Sequence, residues 1–237
     1  MNRWPVLLAV LVAVVTHPNP SDAQNYPERA VRLVVPYPPG GTADLLARLV
    51  GAWLSETLKQ PVIVDNRGGA GGNIAAEYVA RATPDGYTLL FGNVAVFAIN
   101  PAIYTKISFD PINDFAPISL VASVSLMLLV HPSLPVKSVS ELIEFAKANP
   151  GKLNYASGGV GSATQLTVEL LKTMADIDVV HVPYKGSGSS LAAITGGHVA
   201  IIIENIPTAL PFVRSGKLRA LAVTTAQRSP LAEQLPT

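Results

Sequence analysis

Residues 32–50 read RLVVPYPPGGTADLLARLV, an apolar strand that turns through prolines and two glycines straight into a helix. Residues 153–171, LNYASGGVGSATQLTVELL, repeat this plan with glycines and hydroxyl side chains in the turn. The first N–H groups of a helix have no partner within it, and the helix dipole favours an anion there. Because two such loops lie in separate halves of the chain, we predict a clamp that closes on a small carboxylate.

Strand and helix patterns alternate along the whole chain. The predicted strands are 31–35, 62–64, 88–91, 124–130, 153–156, 179–182, 199–203 and 218–223, and the predicted helices are 42–58, 73–82, 138–149, 163–175, 190–195 and 208–215. Segment 93–104 is ambiguous and fits a helix that is interrupted before Pro101. Strands separated by helices indicate parallel βαβ units, whose ligands lie beyond the carboxyl ends of the strands.

Apolar residues at helical spacing predict which faces of two helices are buried. In helix 42–58 they are Leu45, Leu46, Leu49, Val50, Trp53 and Leu54. In helix 163–175 they are Leu166, Leu170, Leu171 and Met174.

The N-terminus has the pattern of a secretory leader. Arg3 precedes an apolar stretch, Val6 to Val15, and small residues at 21 and 23 favour cleavage after Ala23. An uncleaved membrane anchor is the alternative, although the apolar stretch is short for a bilayer about 30 Å thick. The chain contains no cysteine that a lipid could modify. We therefore predict a periplasmic protein with no stable membrane anchor.

Composition and motif searches narrow the possible functions. The net charge is +1 and no long run of one sign occurs, which argues against nucleic-acid binding. Without cysteine the chain has no disulfide and no thiolate chemistry. The histidines lack metal-ligand spacing, and neither a nucleotide-binding loop nor a G-x-S-x-G elbow is present. We predict no metal, no cofactor, no catalytic residue and no enzyme activity.

Each candidate residue also has a structural interpretation. Either loop could be a plain strand-to-helix turn in which Asp44 serves only the helix dipole. Glu204 and Asn205 follow a strand, where a cleft residue is expected, but Glu204 could equally cap the next helix. Lys185 is a weak candidate to pair with a carboxylate. His181 lies within an apolar strand and fits a hydrogen-bonded core imidazole better than a ligand.

Six segments together resemble one family, the periplasmic receptors of tripartite tricarboxylate transporters, also called the Bug family. They are VVPYPPGGTAD at 34–44, VIVDNRGGAGGNIAAEYVA at 62–80, PDGYTLL at 84–90, ELIEFAKANPGKLNYASGGVGSATQL at 141–166, VVHVPYKGSG at 179–188 and GKLRALAVTTAQRSP at 216–230. The resemblance covers essentially all of residues 26–237.

This resemblance implies an α/β type II periplasmic-binding-protein fold, with two lobes and a ligand cleft between them. The corresponding division is a signal peptide at 1–23, lobe 1 at 24–121, lobe 2 at 122–225 and the start of a return crossover to lobe 1 at 226–237. Family members continue for several dozen residues, so the C-terminal part of the first lobe is expected to be missing here. That lobe would then expose an apolar sheet face and a free strand edge.

The resemblance also implies the function, a receptor that captures a small organic carboxylate and delivers it to a two-component membrane permease. An enzyme acting on a carboxylic acid and a non-functional fragment are the alternatives. The residues implied or proposed for ligand binding are Tyr37, Pro38, Pro39, Gly40, Gly41, Thr42, Asp44, Ser157, Gly158, Gly159, Val160, Gly161, Ser162, Ala163, Thr164, Gln165, Lys185 and Glu204. Gln165 replaces the usual histidine of the family and Glu204 the usual aspartate, so both are expected to alter which acid is accepted.

Overall fold

Two β-sheets, each with its own helices, organise the structure, a computed structural model that describes residues 26–237. The predicted leader, residues 1–23, lies outside the described residues. We call the part around the first sheet the first lobe and the part around the second sheet the second lobe. The lobe boundaries at residues 121 and 225 stay a prediction.

The first lobe contains a parallel three-stranded sheet in the order β2-β1-β3. Its elements are β1 (Val31–Val35), α1 (Thr42–Leu58), β2 (Val62–Asn66), α2 (Asn73–Ala80), β3 (Thr88–Leu90), a π-helical segment (Ala95–Ile99) and α3 (Asn100–Ile103). The helical path continues through Pro101, contrary to the predicted interruption. The helix changes from π to α type directly before Pro101 and does not end there.

The second lobe contains a five-stranded sheet in the order β6-β5-β7-β4-β8. Its elements are β4 (Leu126–Val130), α4 (Val139–Ala148), β5 (Leu153–Ser157), α5 (Ala163–Ala175), β6 (Val179–Pro183), α6 (Ser187–Thr195), β7 (Ile201–Asn205), α7 (Ile206–Arg214) and β8 (Arg219–Val223). The strands β5, β6 and β7 are parallel as predicted, whereas β4 runs antiparallel to β7 and to β8.

Both faces of the second sheet are buried. Leu128 of β4 packs with Tyr155 on one face, and Leu129 packs with Ile202 on the other. Interior strands of such sheets need apolar residues at successive positions, because neither face meets water. In the C-terminal segment, Ala232 is buried in the second lobe's core.

The structure corrects both predicted helix stripes. In α1 the side chains of Leu45, Leu49 and Trp53 are 46%, 61% and 62% exposed, whereas Ala47 and Gly51 are buried. Gly51 faces inward because its missing side chain lets α1 approach Val62 and Val64 of β2 closely.

In α5 the predicted face is likewise largely exposed. Leu170 and Met174 are 58% and 77% exposed, and Leu166 is at the border of exposure. Val168 is buried instead, and Leu171 of the predicted stripe packs with it against the sheet. The apolar pattern therefore placed the buried stripe correctly only at Leu171, because more apolar positions are available than the sheet covers.

Candidate functional site

A cavity of about 510 Å³ lies between the two lobes, at the carboxyl ends of several strands. The first lobe contributes Tyr37, Gly41, Thr42, Ala43, Leu46, Leu90, Phe91, Gly92, Asn93 and Val94. The connection between the lobes contributes Ser119 to Val124 with Leu126, and the second lobe contributes Gly158, Ser162, Ala163, Thr164, Gly186, Ser187 and Asn205. None of these lining residues is a lysine, arginine, histidine, aspartate or glutamate, so any charge on a ligand must be met by dipoles.

The first predicted loop reaches this cavity with the N-terminus of α1. Gly41 is the N-cap residue, and Thr42 begins the helix. Gly40 adopts a φ of +90°, which turns the chain between β1 and the helix. The first N–H groups of α1, from Thr42 and Ala43, have no intrahelical partner and lie where both residues line the cavity. This end of the cavity therefore presents hydrogen-bond donors.

Asp44 supports the first loop from behind the cavity wall. Its Oδ2 accepts from the Gly40 N–H at 3.0 Å, and its Oδ1 pairs with Arg48 Nη2 at 2.9 Å. Burial alone would raise the pKa of Asp44, but the hydrogen bonds from Arg48 and Gly40 together lower it. The carboxylate is thus occupied with its own loop and helix, and it does not line the cavity.

Tyr37 adds a hydroxyl donor to the same end of the cavity. Its Oη accepts from Asn93 Nδ2 at 3.1 Å, which leaves the hydroxyl proton available to another acceptor. Burial raises the pKa of Tyr37, so this proton stays on the oxygen at neutral pH. Asn66 Nδ2 holds the backbone carbonyl of Tyr37 at 3.0 Å and fixes the residue in the loop.

Most backbone N–H groups of the second predicted loop donate within the loop and to the start of α5. Gly158 N–H donates to Thr164 Oγ1, Gly159 N–H to Ser157 Oγ and Gly161 N–H to Gln165 Oε1, at 3.1, 3.1 and 2.7 Å. The Ser162 hydroxyl caps α5 by accepting from Gln165 N–H at 3.2 Å. The N–H groups of Ala163 and Thr164, at the start of α5, remain for a ligand.

A polar cluster beneath the second loop holds it in this shape. His181 Nε2 lies 2.6 Å from Ser157 Oγ, and its Nδ1 lies 3.3 Å from Gln165 Nε2. Because Gln165 Oε1 accepts from Gly161, its Nε2 must donate, so we assign Nδ1 as the acceptor and Nε2 as the protonated nitrogen. His181 also stacks on Tyr155, with ring centroids 4.8 Å apart. It is therefore a hydrogen-bonded structural imidazole, as predicted.

Glu204 is fully buried beneath the opposite wall of the cavity. Its Oε1 accepts from Ser187 Oγ, Asn205 N–H and Asn205 Nδ2, at 2.9, 2.8 and 2.9 Å, while Oε2 has no partner among the described residues. Burial raises the pKa of Glu204, against the lowering effect of these hydrogen bonds. Glu204 thus orients residues that line the cavity without lining it itself.

The two lobes touch around the cavity through small residues. Thr42 Oγ1 and Thr208 Oγ1 are 3.2 Å apart, and a methyl group on Gly41 would lie 3.6 Å from the Ser187 side chain. On the other side, a methyl group on Gly161 would lie only 2.7 Å from Asn100 Oδ1. The structure therefore has its lobes closed on each other.

The predicted site residues divide into two groups. Those that line the cavity are Tyr37, Gly41, Thr42, Gly158, Ser162, Ala163 and Thr164. Those that do not line it are Pro38, Pro39, Gly40, Asp44, Ser157, Gly159, Val160, Gly161, Gln165, Lys185 and Glu204. Lys185 is exposed, and Val160 is 51% exposed.

Sequence reasoning missed Ser187 and the wall formed by Phe91 to Val94 and Ser119 to Val124. The strand-end rule, applied to β3, would have indicated Phe91. No group of metal-ligating side chains occurs within residues 26–237, and no helix in that range is long and apolar enough to cross a membrane.

Comparisons with known proteins give a consistent result. The family described as "Tripartite tricarboxylate transporter family receptor" matches residues 46–237. Protein BugT of Bordetella pertussis is 37% identical over the whole of this chain and 73% of its own length.

Solved structures are similar along most of the chain. The R. palustris protein Rpa4515 with adipate has a TM-score of 0.88 and 45% identity, over 90% of this chain and 71% of that one. MatC from Rhodopseudomonas palustris with bound malate has a TM-score of 0.85 and 35% identity, over 90% and 72%. The periplasmic binding protein BugD has a TM-score of 0.84 and 35% identity, over 90% and 71%. These matches confirm the predicted periplasmic-binding-protein fold.

Proposed function

Because this chain belongs to the tripartite tricarboxylate transporter receptor family, we propose that it is a solute receptor that binds a small organic carboxylate between its lobes. The observation that carries the proposal is the cavity between the lobes, bounded by the N-termini of α1 and α5, with no charged side chain on its wall. Unpaired N–H groups at two helix ends can meet an anion that no lysine or arginine contacts.

Chemical roles for the predicted site residues follow from their placement. The N–H groups at the starts of α1 and α5, with the hydroxyl of Tyr37, would contact the carboxylate, whereas the Ser162 hydroxyl donates its proton to the Gly159 carbonyl at 2.7 Å. The predicted residues behind the wall would keep the loops in shape, as Asp44 does through Gly40 and Gln165 does through Gly161. Adipate and malate in the two related structures support a carboxylate as the ligand class.

A receptor explains the cavity better than an enzyme does. Among the lining residues Tyr37 is the one with a titratable side chain, and its raised pKa keeps it protonated. General acid–base chemistry needs a group whose pKa lies near the working pH and within hydrogen-bond reach of the substrate. Asp44, Lys185 and Glu204, the charged residues predicted for the site, do not line the cavity.

The proposal includes location and partner. Family membership together with the predicted leader at residues 1–23 supports export to the periplasm and release after Ala23. The lobe-closed form would then be the state that a two-component permease recognises, since closure changes the surface that both lobes present.

The experiment that tests this function is thermal unfolding of the exported chain against a panel of acids. The chain is expressed with its own leader, purified from the periplasmic fraction and titrated with citrate, succinate, malate, aspartate, glutamate, adipate and terephthalate. A receptor gives a melting temperature that rises with the concentration of at least one acid, as mass action requires. A panel without effect, together with calorimetry showing no binding, contradicts the proposal, and turnover of the bound acid would favour the enzyme instead.

A further inference from the structure

Glu204 determines whether two residues of the cavity wall, Ser187 and Asn205, present hydrogen-bond donors or acceptors to a ligand. One carboxyl oxygen, Oε1, receives the Ser187 hydroxyl at 2.9 Å and the Asn205 side-chain amide at 2.9 Å. The backbone N–H of Asn205 donates to the same oxygen at 2.8 Å. This oxygen is an acceptor in either protonation state, because a proton on the carboxyl group would sit on Oε2, which has no partner among the described residues.

Both oriented side chains therefore turn acceptors toward the cavity. The hydroxyl proton of Ser187 is committed to Glu204, which leaves only oxygen lone pairs for a ligand. The amide of Asn205 points its Nδ2 at Glu204, so its Oδ1 is the free end, and no residue within 26–237 donates to it. Both residues line the cavity.

The rest of the cavity wall presents hydrogen-bond donors. The starts of α1 and α5 present N–H groups, and Tyr37 presents a hydroxyl proton. Ser187 lies beside Gly41, since a methyl group on Gly41 would be 3.6 Å from Ser187 Oγ. The acceptors thus stand next to the place where α1 would hold a carboxylate.

We propose that Glu204 is a positioning residue that makes the cavity select carboxylates bearing a hydroxyl or ammonium group near the carboxylate over the same carbon skeletons without that group. This inference rests on the proposed function. An acid without the donor would strip water from Ser187 and Asn205 and leave their acceptors unpaired, which a donor-bearing acid avoids. Because a net hydrogen bond contributes about one power of ten or less to affinity, we expect a preference of about tenfold.

Matched acids measured by isothermal titration calorimetry on the full exported chain test the inference. The series are succinate, malate and aspartate, and glutarate, 2-hydroxyglutarate and glutamate. The donor-bearing acids of the better-binding series should bind about tenfold more tightly than the unsubstituted acid.

Variants separate positioning from folding. Ser187→Ala should reduce the affinity ratio within a series toward one, whereas Ser189→Ala, an exposed serine of the same helix, should keep it. Glu204→Leu should also bring the affinity ratio close to one, because Ser187 and Asn205 are then free to rotate. Glu204→Gln should restore it, because its amide oxygen can replace Oε1.

The outcomes for this inference and for the proposed function are distinct. Tight binding with equal affinities within each series overturns the inference and leaves the receptor function intact. A preserved ratio in both Ser187→Ala and Glu204→Leu also overturns it. Failure of every acid to bind the wild-type chain overturns the function and the inference together.

Discussion

The hydroxyl oxygens of Thr42 and Thr208 lie 3.2 Å apart and join the first turn of α1 in the first lobe to the first turn of α7 in the second. Thr208 Oγ1 also donates to the Asn205 carbonyl at 3.0 Å, so Thr42 supplies the proton between the two hydroxyls. Both helices begin beside the cavity, because Thr42 and Asn205 line it. This hydrogen bond therefore exists only while the lobes are closed.

Replacing Thr42 with valine should weaken ligand binding without unfolding the protein. The variant keeps the shape of the side chain and removes one hydrogen bond of the closed state, which is worth about 0.5–1.5 kcal/mol. We expect affinity for the best acid to fall about three- to tenfold. Thr57→Val is the control, because Thr57 lies in the same helix and its hydroxyl bonds only within it, to the Trp53 carbonyl. Equal losses in both variants would contradict a role in closure.

Alanine at Gly161 should keep the lobes from closing. Gly161 has a φ of +80°, and a methyl group there would lie 2.7 Å from Asn100 Oδ1 and 2.8 Å from Ile103 Cδ1 in the first lobe. Gly216→Ala provides the control, since Gly216 has a φ of +70° and nothing within 4 Å of the added methyl group. Both variants carry backbone strain of about 1 kcal/mol, and only Gly161→Ala should also lose affinity, by tenfold or more. Similar affinities in calorimetry would show that the lobes do not meet here in the bound state.

Glu204→Gln should stabilise the protein more as the pH rises. Burial raises the pKa of Glu204 above its ordinary value of 4.5, so the folded state holds this proton at pH values where the unfolded chain has lost it. The wild type is then most stable, as far as this group is concerned, below about pH 4.5, and loses that stability as the pH rises through the folded-state pKa. Glutamine does not titrate, so the gap in unfolding free energy should widen in its favour from pH 4.5 to 8. Denaturant unfolding at several pH values measures this difference in unfolding free energy. A difference that stays constant with pH would refute the buried-carboxyl explanation.

Mild acid should loosen the second loop through His181. Burial lowers the pKa of His181 below 6.5, with Glu169 opposing that shift and Lys172 adding to it. The unfolded chain therefore takes up this proton first, and stability falls as the pH drops below about 6.5. A protonated Nδ1 would also face the Gln165 amide donor and disturb its bond to Gly161.

Thermal unfolding and acid binding between pH 5 and 8 measure this effect of His181. His181→Gln should flatten both profiles, while His131→Gln, which replaces a histidine whose ring bonds to Ser133 and not to the second loop, should leave them sloped. A wild-type slope that survives in His181→Gln would assign the pH dependence to other groups.

Much of the fold could be predicted from local sequence. Helices 42–58 and 163–175 have the predicted bounds, because glycines or a capping serine precede each and an αL residue, Lys59 or Asp176, ends each. The buried faces could not be predicted, because the positions that face a sheet depend on how closely the helix approaches it. Gly51 allows that close approach in α1, and no periodicity reveals it.

The site was predicted only in part, because its local patterns are visible in the sequence and the direction of its side chains is not. Both loops were found, since a strand, glycines and a helix start are local patterns. The strand-end rule indicated Lys185, Glu204 and Asn205, whereas Asn205 and the neighbouring Ser187 are the residues that line the cavity. A shift of one or two residues at a strand end decides whether a side chain points into a cleft or behind it, and only the tertiary structure fixes that position.

The internal hydrogen bonds of the second loop have a thermodynamic consequence. Gly158, Gly159 and Gly161 donate to Thr164, Ser157 and Gln165 of the same loop and the helix that follows it. Binding therefore has little backbone entropy left to remove on that side, and the ordering cost falls on lobe closure and on the donors of the first lobe. A receptor with one half of its site already rigid can capture a ligand there first and close afterwards, so changes in the first lobe should alter the dissociation rate more than the association rate.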